Sequence, residues 1–337
     1  MITKRRALET LALTLCTPAA WAQPSGTARA VAGTAAAPAW PTKPLRLLVG
    51  FPAGASPDLA ARAVAEPLSK LLGQPVVVEN KPGDSGNIAA NLVAKAQDDH
   101  TIGALINGNL TIARLLNPKT PFDPEKDFAP VSLLGTAPLV LAVSAQAVGA
   151  NPVDLLLWAR NLNDKGRYGT PGVGTVGHLG MELLKSRSGI LATHVPFTGN
   201  PQVIAAMLAG EIQLALLPPG LVKPHIKSGK LKAVGVTSPL RSPLFSELPT
   251  LRDANVHGAD LEIWTAIAAP ASMPAAAVAR LNAALSEVVR APEVQQALLT
   301  AGWQAQSGTP KALSYRMRQD TSLLGGVILM RGIKIEA

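Results

Sequence analysis

LRLLVGFPAGASPDLAAR, Leu45 to Arg62, is the stretch from which the rest of the chain is read. Leu45, Leu47, Leu48 and Val49 form a short apolar run of the kind a buried strand needs, and Gly50, Pro52 and Gly54 end it. Helical spacing then takes over. Leu59, Val64, Leu68, Leu71 and Leu72 recur on or near one side, Ser56 and Asp58 are candidate N-caps, and the helix is expected to begin near residue 57. A strand that feeds a small-residue loop and then a helix start leaves backbone N–H groups pointing into the loop, where a carboxylate or phosphate can be held. Alone, such a junction speaks for the fold and not for a ligand, because most junctions of this kind in parallel α/β proteins bind nothing.

Toward the N-terminus the pattern changes. Lys4, Arg5 and Arg6 precede an apolar stretch from Leu11 to Ala20, and Ala20-Trp21-Ala22 has the small-x-small form of a cleavage site. Residues 1–22 therefore read as a secretory signal peptide cut after Ala22, by the general secretory route in preference to twin-arginine export, and the mature protein is expected to be exported. Cys16, the only cysteine, lies in that segment, so no thiol or disulfide chemistry is expected in the mature chain. Residues 23–39 are small and without periodicity and read as a flexible tether, with the folded part starting near Trp40. No other segment approaches the ~20 apolar residues a membrane span needs, so no stable membrane insertion is expected.

The 337 residues are 47% hydrophobic and 4% aromatic, enough for two domains with real cores. The formal charge of +9 raises nucleic acid as a partner, but Lys and Arg are dispersed and few stand beside an aromatic. The densest basic stretch, Lys223 to Lys232, reads as a solvated helix end and turn, and no nucleic-acid binding is expected.

From Arg62 onward strands and helices alternate. Pro75 to Glu79 is a β-branched run, NKPGDSGN is a loop, and IAANLVAKA is a helix capped by Asn87 or Ser85. Thr101 to Ile106 is a strand ending in Asn107-Gly108-Asn109, followed by a short helical stretch from Leu110 to Leu116. This is the rhythm of an open parallel sheet, whose ligands sit beyond the C-terminal strand ends. Extended segments between Pro130 and Val143 carry the chain to a second series. There Asn151 caps a helix with Pro152 at its first position, TPGVGTVGHLGMELLKSRSG runs from a glycine-rich loop into a helix, and QVIAAMLAG is a helix stopped by Gly210. Strands are expected at Ile212 to Leu217 and Leu231 to Val236. Leu261 to Ala268 returns as a strand, and helices over 274–289, 292–301 and 310–324 are expected to pack back on the first unit. The chain then crosses between two domains near 138 and near 262, which gives a hinged pair with a cleft.

In order along the chain, WPTKPLRLLVGFPAGASPD, LGQPVVVENKPGDSGNIAANLVAKA, YGTPGVGTVGHLGMELL, THVPFTGNPQVIAAMLAGEIQ, HIKSGKLKAVGVTSP, SELPTLRDA and GIKIEA are similar to the Bug family, the extracytoplasmic solute receptors of tripartite tricarboxylate transporters. The similarity covers nearly all of the chain from Trp40. It implies an α/β, type II periplasmic-binding-protein fold: two α/β lobes with a ligand cleft and two hinge crossings, lobe 1 being 40–138 plus 263–337 and lobe 2 being 139–262. It also implies a periplasmic location, a monomer, a small and anionic organic solute held by cleft loops, and transporter membrane subunits as partners. Carried over by position, the first-lobe loops are Phe51 to Asp58 and Pro82 to Asn87, and the second-lobe loops are Thr170 to His178 and Thr198 to Pro201. The candidate ligand-binding residues are Phe51, Ala53, Gly54, Ala55, Ser56, Asp58, Ser85, Asn107, Thr170, Gly172, Gly174, Thr175, His178, Thr198 and Asn200.

Bland alternatives stand beside several of these. Asp58 suits an N-cap without any ligand, Asn107 suits a turn, Thr175 suits helix capping, and His178 suits a loop anchor or a core position. The chain also departs from the family pattern. Ala55 and Ser56 stand where paired glycines are common, and Asp84, which would repel an anion, is expected to point to solvent. Phe197-Thr198-Gly199-Asn200 replaces Tyr-Lys-Gly-Gly, and Gln213 with ALLPPG replaces a more polar segment. That less polar lining opens the site to a monocarboxylate, an aromatic acid or a nearly neutral solute.

GVGTVG, Gly172 to Gly177, has the spacing of a dinucleotide fingerprint, but no Asp or Glu lies between Thr193 and Phe197 to meet a ribose. No nucleophile elbow, H-E-x-x-H or Walker loop occurs, and the five histidines show no metal-ligand spacing. No catalytic residue, cofactor or metal is expected. A periplasmic sensor partner and, behind it, an exported enzyme are the alternative functions.

Overall fold

In a computed structural model, which describes residues 40–333, the chain forms two β-sheets with helices on both faces. The leader read at 1–22, the tether at 23–39 and the last four residues lie outside the described residues. The first series runs β1 (Leu45–Val49), α1 (Ser56–Leu72), β2 (Val76–Asn80), α2 (Asn87–Ala94), β3 (Thr101–Ile106), α3 (Asn107–Thr111), α4 (Ala113–Leu116) and β4 (Phe128–Pro138). The second runs β5 (Val140–Ser144), α5 (Pro152–Asn161), β6 (Arg167–Thr170), α6 (Val176–Ser188), β7 (Thr193–Pro196), α7 (Asn200–Ala209), β8 (Leu214–Leu217), α8 (Pro219–Lys227) and β9 (Leu231–Val236). The chain closes with β10 (Glu262–Pro270), α9 (Ala275–Arg290), α10 (Pro292–Thr300), β11 (Gln304–Ala305) and α11 (Pro310–Arg331).

The strand period explains why β1 is central. Leu45, Leu47 and Val49 point to one face and join the core built with α1, α9 and α10, while Leu48 points to the other and joins the core with α2 and Trp264. Arg46 is exposed and pairs with Glu79 on β2 at 2.8 Å. The first sheet has the order β11-β4-β10-β3-β1-β2 and the second β7-β6-β8-β5-β9. Neither sheet is wholly parallel. β10 runs antiparallel to both β3 and β4, and β5 runs antiparallel to both β8 and β9, so an open parallel sheet is a partial description.

Two chain segments connect the sheets, Leu139 between β4 and β5, and the run from β9 to β10. The buried Thr237 fastens them together. Its Oγ1 accepts from Leu139 N at 2.8 Å and donates to the Leu261 carbonyl at 2.7 Å. Its N–H donates to the Leu139 carbonyl at 2.8 Å, and its carbonyl accepts from Leu261 N at 3.2 Å.

The last helix corrects the sequence reading. It continues seven residues past Leu324, to Arg331, and does not pack only on the first sheet. Leu313 and Met317 belong to the first sheet's core, whereas Leu324, Val327 and Ile328 belong to the second's. Gly325-Gly326 reads as a stop, yet burial of Val327 and Ile328 outweighs the ~1 kcal/mol per glycine that helix propensity charges. Arg331 extends this bond, its guanidinium lying 3.4 Å from Glu182 on α6. Among the described residues no helix is long and apolar enough to cross a membrane.

Candidate functional site

The C-terminal ends of β1, β3, β6 and β8 face a common space, narrow and partly open to solvent. From the first sheet its wall takes Phe51, Ala55, Ser56 and Pro57 of the β1–α1 junction, Ile106 and Asn107 at the end of β3, and Trp303 before β11. From the second sheet it takes Pro171, Thr175, Val176 and Gly177 at the start of α6, Asn200 at the start of α7, and Leu216 and Pro218 around the end of β8. Leu139 and Ile263, beside the two connections, close the back. No charged side chain is part of this wall.

The helix starts make the polar part. α1, α6 and α7 begin at Ala55, Thr175 and Gly199, none of which caps its helix through a side chain, whereas Asn151 caps α5 and Thr309 caps α11. The first N–H groups of an α-helix have no intrahelical acceptor, and together they carry a partial positive charge. Thr175 spends its hydroxyl proton on the Gly172 carbonyl at 2.8 Å, so it shapes the loop and leaves the α6 N–H groups free. Ser56 is 2% exposed and Asn200 7%, and Ser56 Oγ and Asn200 Oδ1 both lack a hydrogen-bond partner. Buried polar groups are normally paired, and each that is not costs about 1–3 kcal/mol.

Asp58 is neither an N-cap nor part of the wall. The helix starts at Ser56, which puts Asp58 in the first turn, where its carboxylate receives Gly54 N–H at 2.9 Å, Asn80 Nδ2 at 2.8 Å and Arg62 Nε at 3.0 Å. Burial raises its pKa, and the bonds from Arg62, Asn80 and Gly54 outweigh that and hold the carboxyl below its usual range. Asp58 is thus the staple that folds the β1–α1 loop back on its own helix.

His178 does the same for the opposite loop. Its Nδ1 accepts Gly174 N–H at 3.0 Å, and its ring stacks on His194 with centroids 4.1 Å apart. His194 Nε2 meets Thr170 Oγ1 at 2.7 Å, and the Tyr168 ring lies near-parallel to both imidazoles, with its centroid 5.0 Å from that of His194. Burial pushes the His178 pKa down to about 4 despite the pull of Glu182, and burial together with His178 pushes His194 down to about 3. Both rings are therefore neutral at pH 7, and an unprotonated Nδ1 on His178 is what the Gly174 bond requires. Glu182, which accepts from Tyr168 Oη at 2.6 Å and from Lys185 at 2.7 Å, is held below its usual range by those bonds against the opposing effect of burial.

The two loop sets touch. Ser85 Oγ, before α2, donates to the Val173 carbonyl at 2.7 Å across the space between the sheets. Gly172 sits against Ser85 with φ +139°, where a Cβ would be both strained and in collision with the serine hydroxyl. Gly199 meets Pro52 from the other side of the space, at 3.3 Å from where its Cβ would stand.

Of the residues singled out from sequence, Phe51, Ala55, Ser56, Asn107, Thr175 and Asn200 meet on the wall. Ser85 and Gly174 line a smaller neighbouring gap with Thr175, and Gly172 sits beside Ser85. Thr170, His178 and Asp58 act one step back, as loop supports. Ala53, Gly54 and Thr198 are exposed and off the wall. Asp84 is exposed, as its charge led the sequence reading to expect. Sequence reasoning missed the apolar members, Ile106, Leu139, Ile263 and Trp303. Ile263 and Trp303 come from beyond residue 260, and Trp303 carries a findable signal: an indole buried in a turn needs an acceptor, which it has in the Ser56 carbonyl at 3.0 Å.

Comparison with known proteins adds to this geometry. Residues 60–331 match the family described as tripartite tricarboxylate transporter family receptor, TctC. A UPF0065 protein from the tcbD-tcbE intergenic region of Pseudomonas sp. strain P51 is 34% identical over 286 residues, 84% of each chain. The solved structure of R. palustris Rpa4515 with adipate aligns with a TM-score of 0.83 and 30% identity, over 88% of this chain and 99% of that one. The periplasmic binding protein BugD aligns with a TM-score of 0.82 and 27% identity, over 88% of this chain and all of the other, 100%.

Proposed function

Because the chain belongs to the TctC family of tripartite tricarboxylate transporter receptors, whose members are solute-binding proteins, we propose that it captures a small carboxylate between two lobes and presents it to the membrane subunits of a transporter. The lobes are 40–138 plus 263–323, and 139–262 joined by the end of α11, each centred on one sheet. The observation that carries this reading is the convergence, from opposite sheets, of uncapped helix starts on one space that also holds the unpartnered Ser56 Oγ and Asn200 Oδ1. An anion there replaces the missing caps of α1 and α7 at once, so it binds the approached lobes better than the separated ones and shifts the equilibrium toward closure.

The ligand-binding set proposed is Phe51, Ala55, Ser56, Asn107, Thr175 and Asn200, supported from behind by Asp58, Ser85, Thr170, Gly172, Gly174 and His178. The protein acts as a monomer in the periplasm after loss of residues 1–22, and it binds without turnover. Adipate bound to Rpa4515 supports a carboxylate as the solute class.

A thermal-shift screen against mono-, di- and tricarboxylates, amino acids and neutral analogues tests the reading, since a true ligand raises Tm by mass action, by about 2.7 kcal/mol of stability at a hundredfold excess over Kd. Calorimetry and product analysis on the best candidate are expected to give one site and no conversion. Turnover of the bound solute, or a screen in which no carboxylate shifts Tm, overturns it. Mass spectrometry of the exported chain should place its N-terminus at Gln23, and pull-down should recover a transporter membrane subunit; recovery of a sensor kinase in its place contradicts the transport role.

A further inference from the structure

The wall of the candidate site carries two polar side-chain atoms without partners among mostly apolar residues. Ser56 Oγ and Asn200 Oδ1 lack partners although their residues are more than nine-tenths buried, and they come from loops of opposite sheets. A serine hydroxyl donates, and a carboxamide turned end for end also donates, so the two side chains and the adjoining helix starts suit one carboxylate. Elsewhere several of the wall's side-chain donors are already engaged within the protein. Asn107 Nδ2 donates to the Glu262 carbonyl at 3.3 Å, Thr175 Oγ1 to Gly172, and Trp303 Nε1 to Ser56 O. What remains is Phe51, Ile106, Leu139, Leu216, Ile263 and the Trp303 ring, with no cationic side chain.

Resting on the receptor reading above, we infer that the solute is a monocarboxylate with an apolar body, its carboxylate at Ser56 and Asn200 and its alkyl or aromatic part against Leu139, Leu216 and Ile263. A second carboxylate of a di- or tricarboxylate would be carried to the apolar side of the wall, where no cationic side chain meets it and its lost water is only partly replaced. An apolar group in the same place gains by leaving water.

Calorimetric titration with matched solutes tests this. Hexanoate and adipate have the same number of carbons and differ in the second carboxylate; benzoate and terephthalate form the aromatic pair; hexanamide keeps the length and removes the charge. We expect at least one monocarboxylate to bind tenfold or more tighter than its dicarboxylate partner and than hexanamide, and Ser56→Ala to weaken it about tenfold without lowering the Tm of the free protein. Adipate or terephthalate binding as tightly as its partner overturns the inference and leaves the receptor reading standing. Hexanamide binding as tightly as hexanoate, or unchanged affinity in Ser56→Ala, overturns the placement of the charge. If none of the four acids binds, the inference falls, and the receptor reading is decided by the wider carboxylate screen.

Discussion

At the scale of single residues, the site is defined less by what touches the space than by what holds the touching loops. Asp58 and His178 are the two supports, each accepting a loop N–H four residues upstream. The His178–His194 stack makes this support sensitive to acid. Both pKa values are depressed, to about 4 and about 3, so the unfolded chain takes up protons near pH 6.5 while the folded chain does not. The stabilisation these rings provide is complete above about pH 6.5 and is lost as pH falls toward 4. Glu182, facing them, and Asp58 have lowered pKa values, and their contribution is lost in the same direction at still lower pH. Urea unfolding at pH 7 and pH 5 should show the wild type losing on the order of 2 kcal/mol for the coupled pair, after allowance for the partial exposure of His194, and His178→Gln losing less than half of that. An equal loss in both proteins contradicts the assignment. None of this stack was legible in the sequence, where His178 and His194 are sixteen positions apart and belong to different elements. The loop set was legible because Gly, Pro and small hydroxyl residues cluster only where the backbone must turn tightly; which atoms of a loop face the space depends on partners such as Asn80 and Trp303, far along the chain.

At the scale of elements, alternation of apolar runs and helical spacing located most strands and helices, because each is decided within a few residues by the period of its buried face. Pairing is not decided locally. β10 enters the first sheet between β3 and β4, partners more than 120 residues upstream, and nothing in EIWTAIAAP announces that it runs antiparallel to both. The continuation of α11 through Gly325-Gly326 was hidden for the same reason, since the core that rewards it belongs to the second sheet. Thr237 shows how one side chain can govern an element-scale property, as it binds Leu139 and Leu261, the two connections between the sheets. Thr237→Val keeps the shape and removes the hydroxyl, leaving a buried N–H and a buried carbonyl without their partner. Chemical denaturation should show a loss on the order of 2 kcal/mol, and a change within about 0.5 kcal/mol would show that the connections do not depend on this residue.

At the scale of the whole molecule, the account rests on two sheets whose loop sets share one guest. Contacts such as Ser85 to Val173 and Gly199 against Pro52 already join the sets, and on this account a bound solute adds bonds to both at once. Amide hydrogen exchange, followed by mass spectrometry with and without saturating amounts of the tightest-binding monocarboxylate, tests this most directly. The account predicts added protection in both the 51–59 and the 198–204 peptides, with a smaller gain in 172–180, while the outer helices α5 and α9 stay unchanged. Protection confined to one sheet's loops, or appearing away from all three peptides, would contradict capture between the sheets.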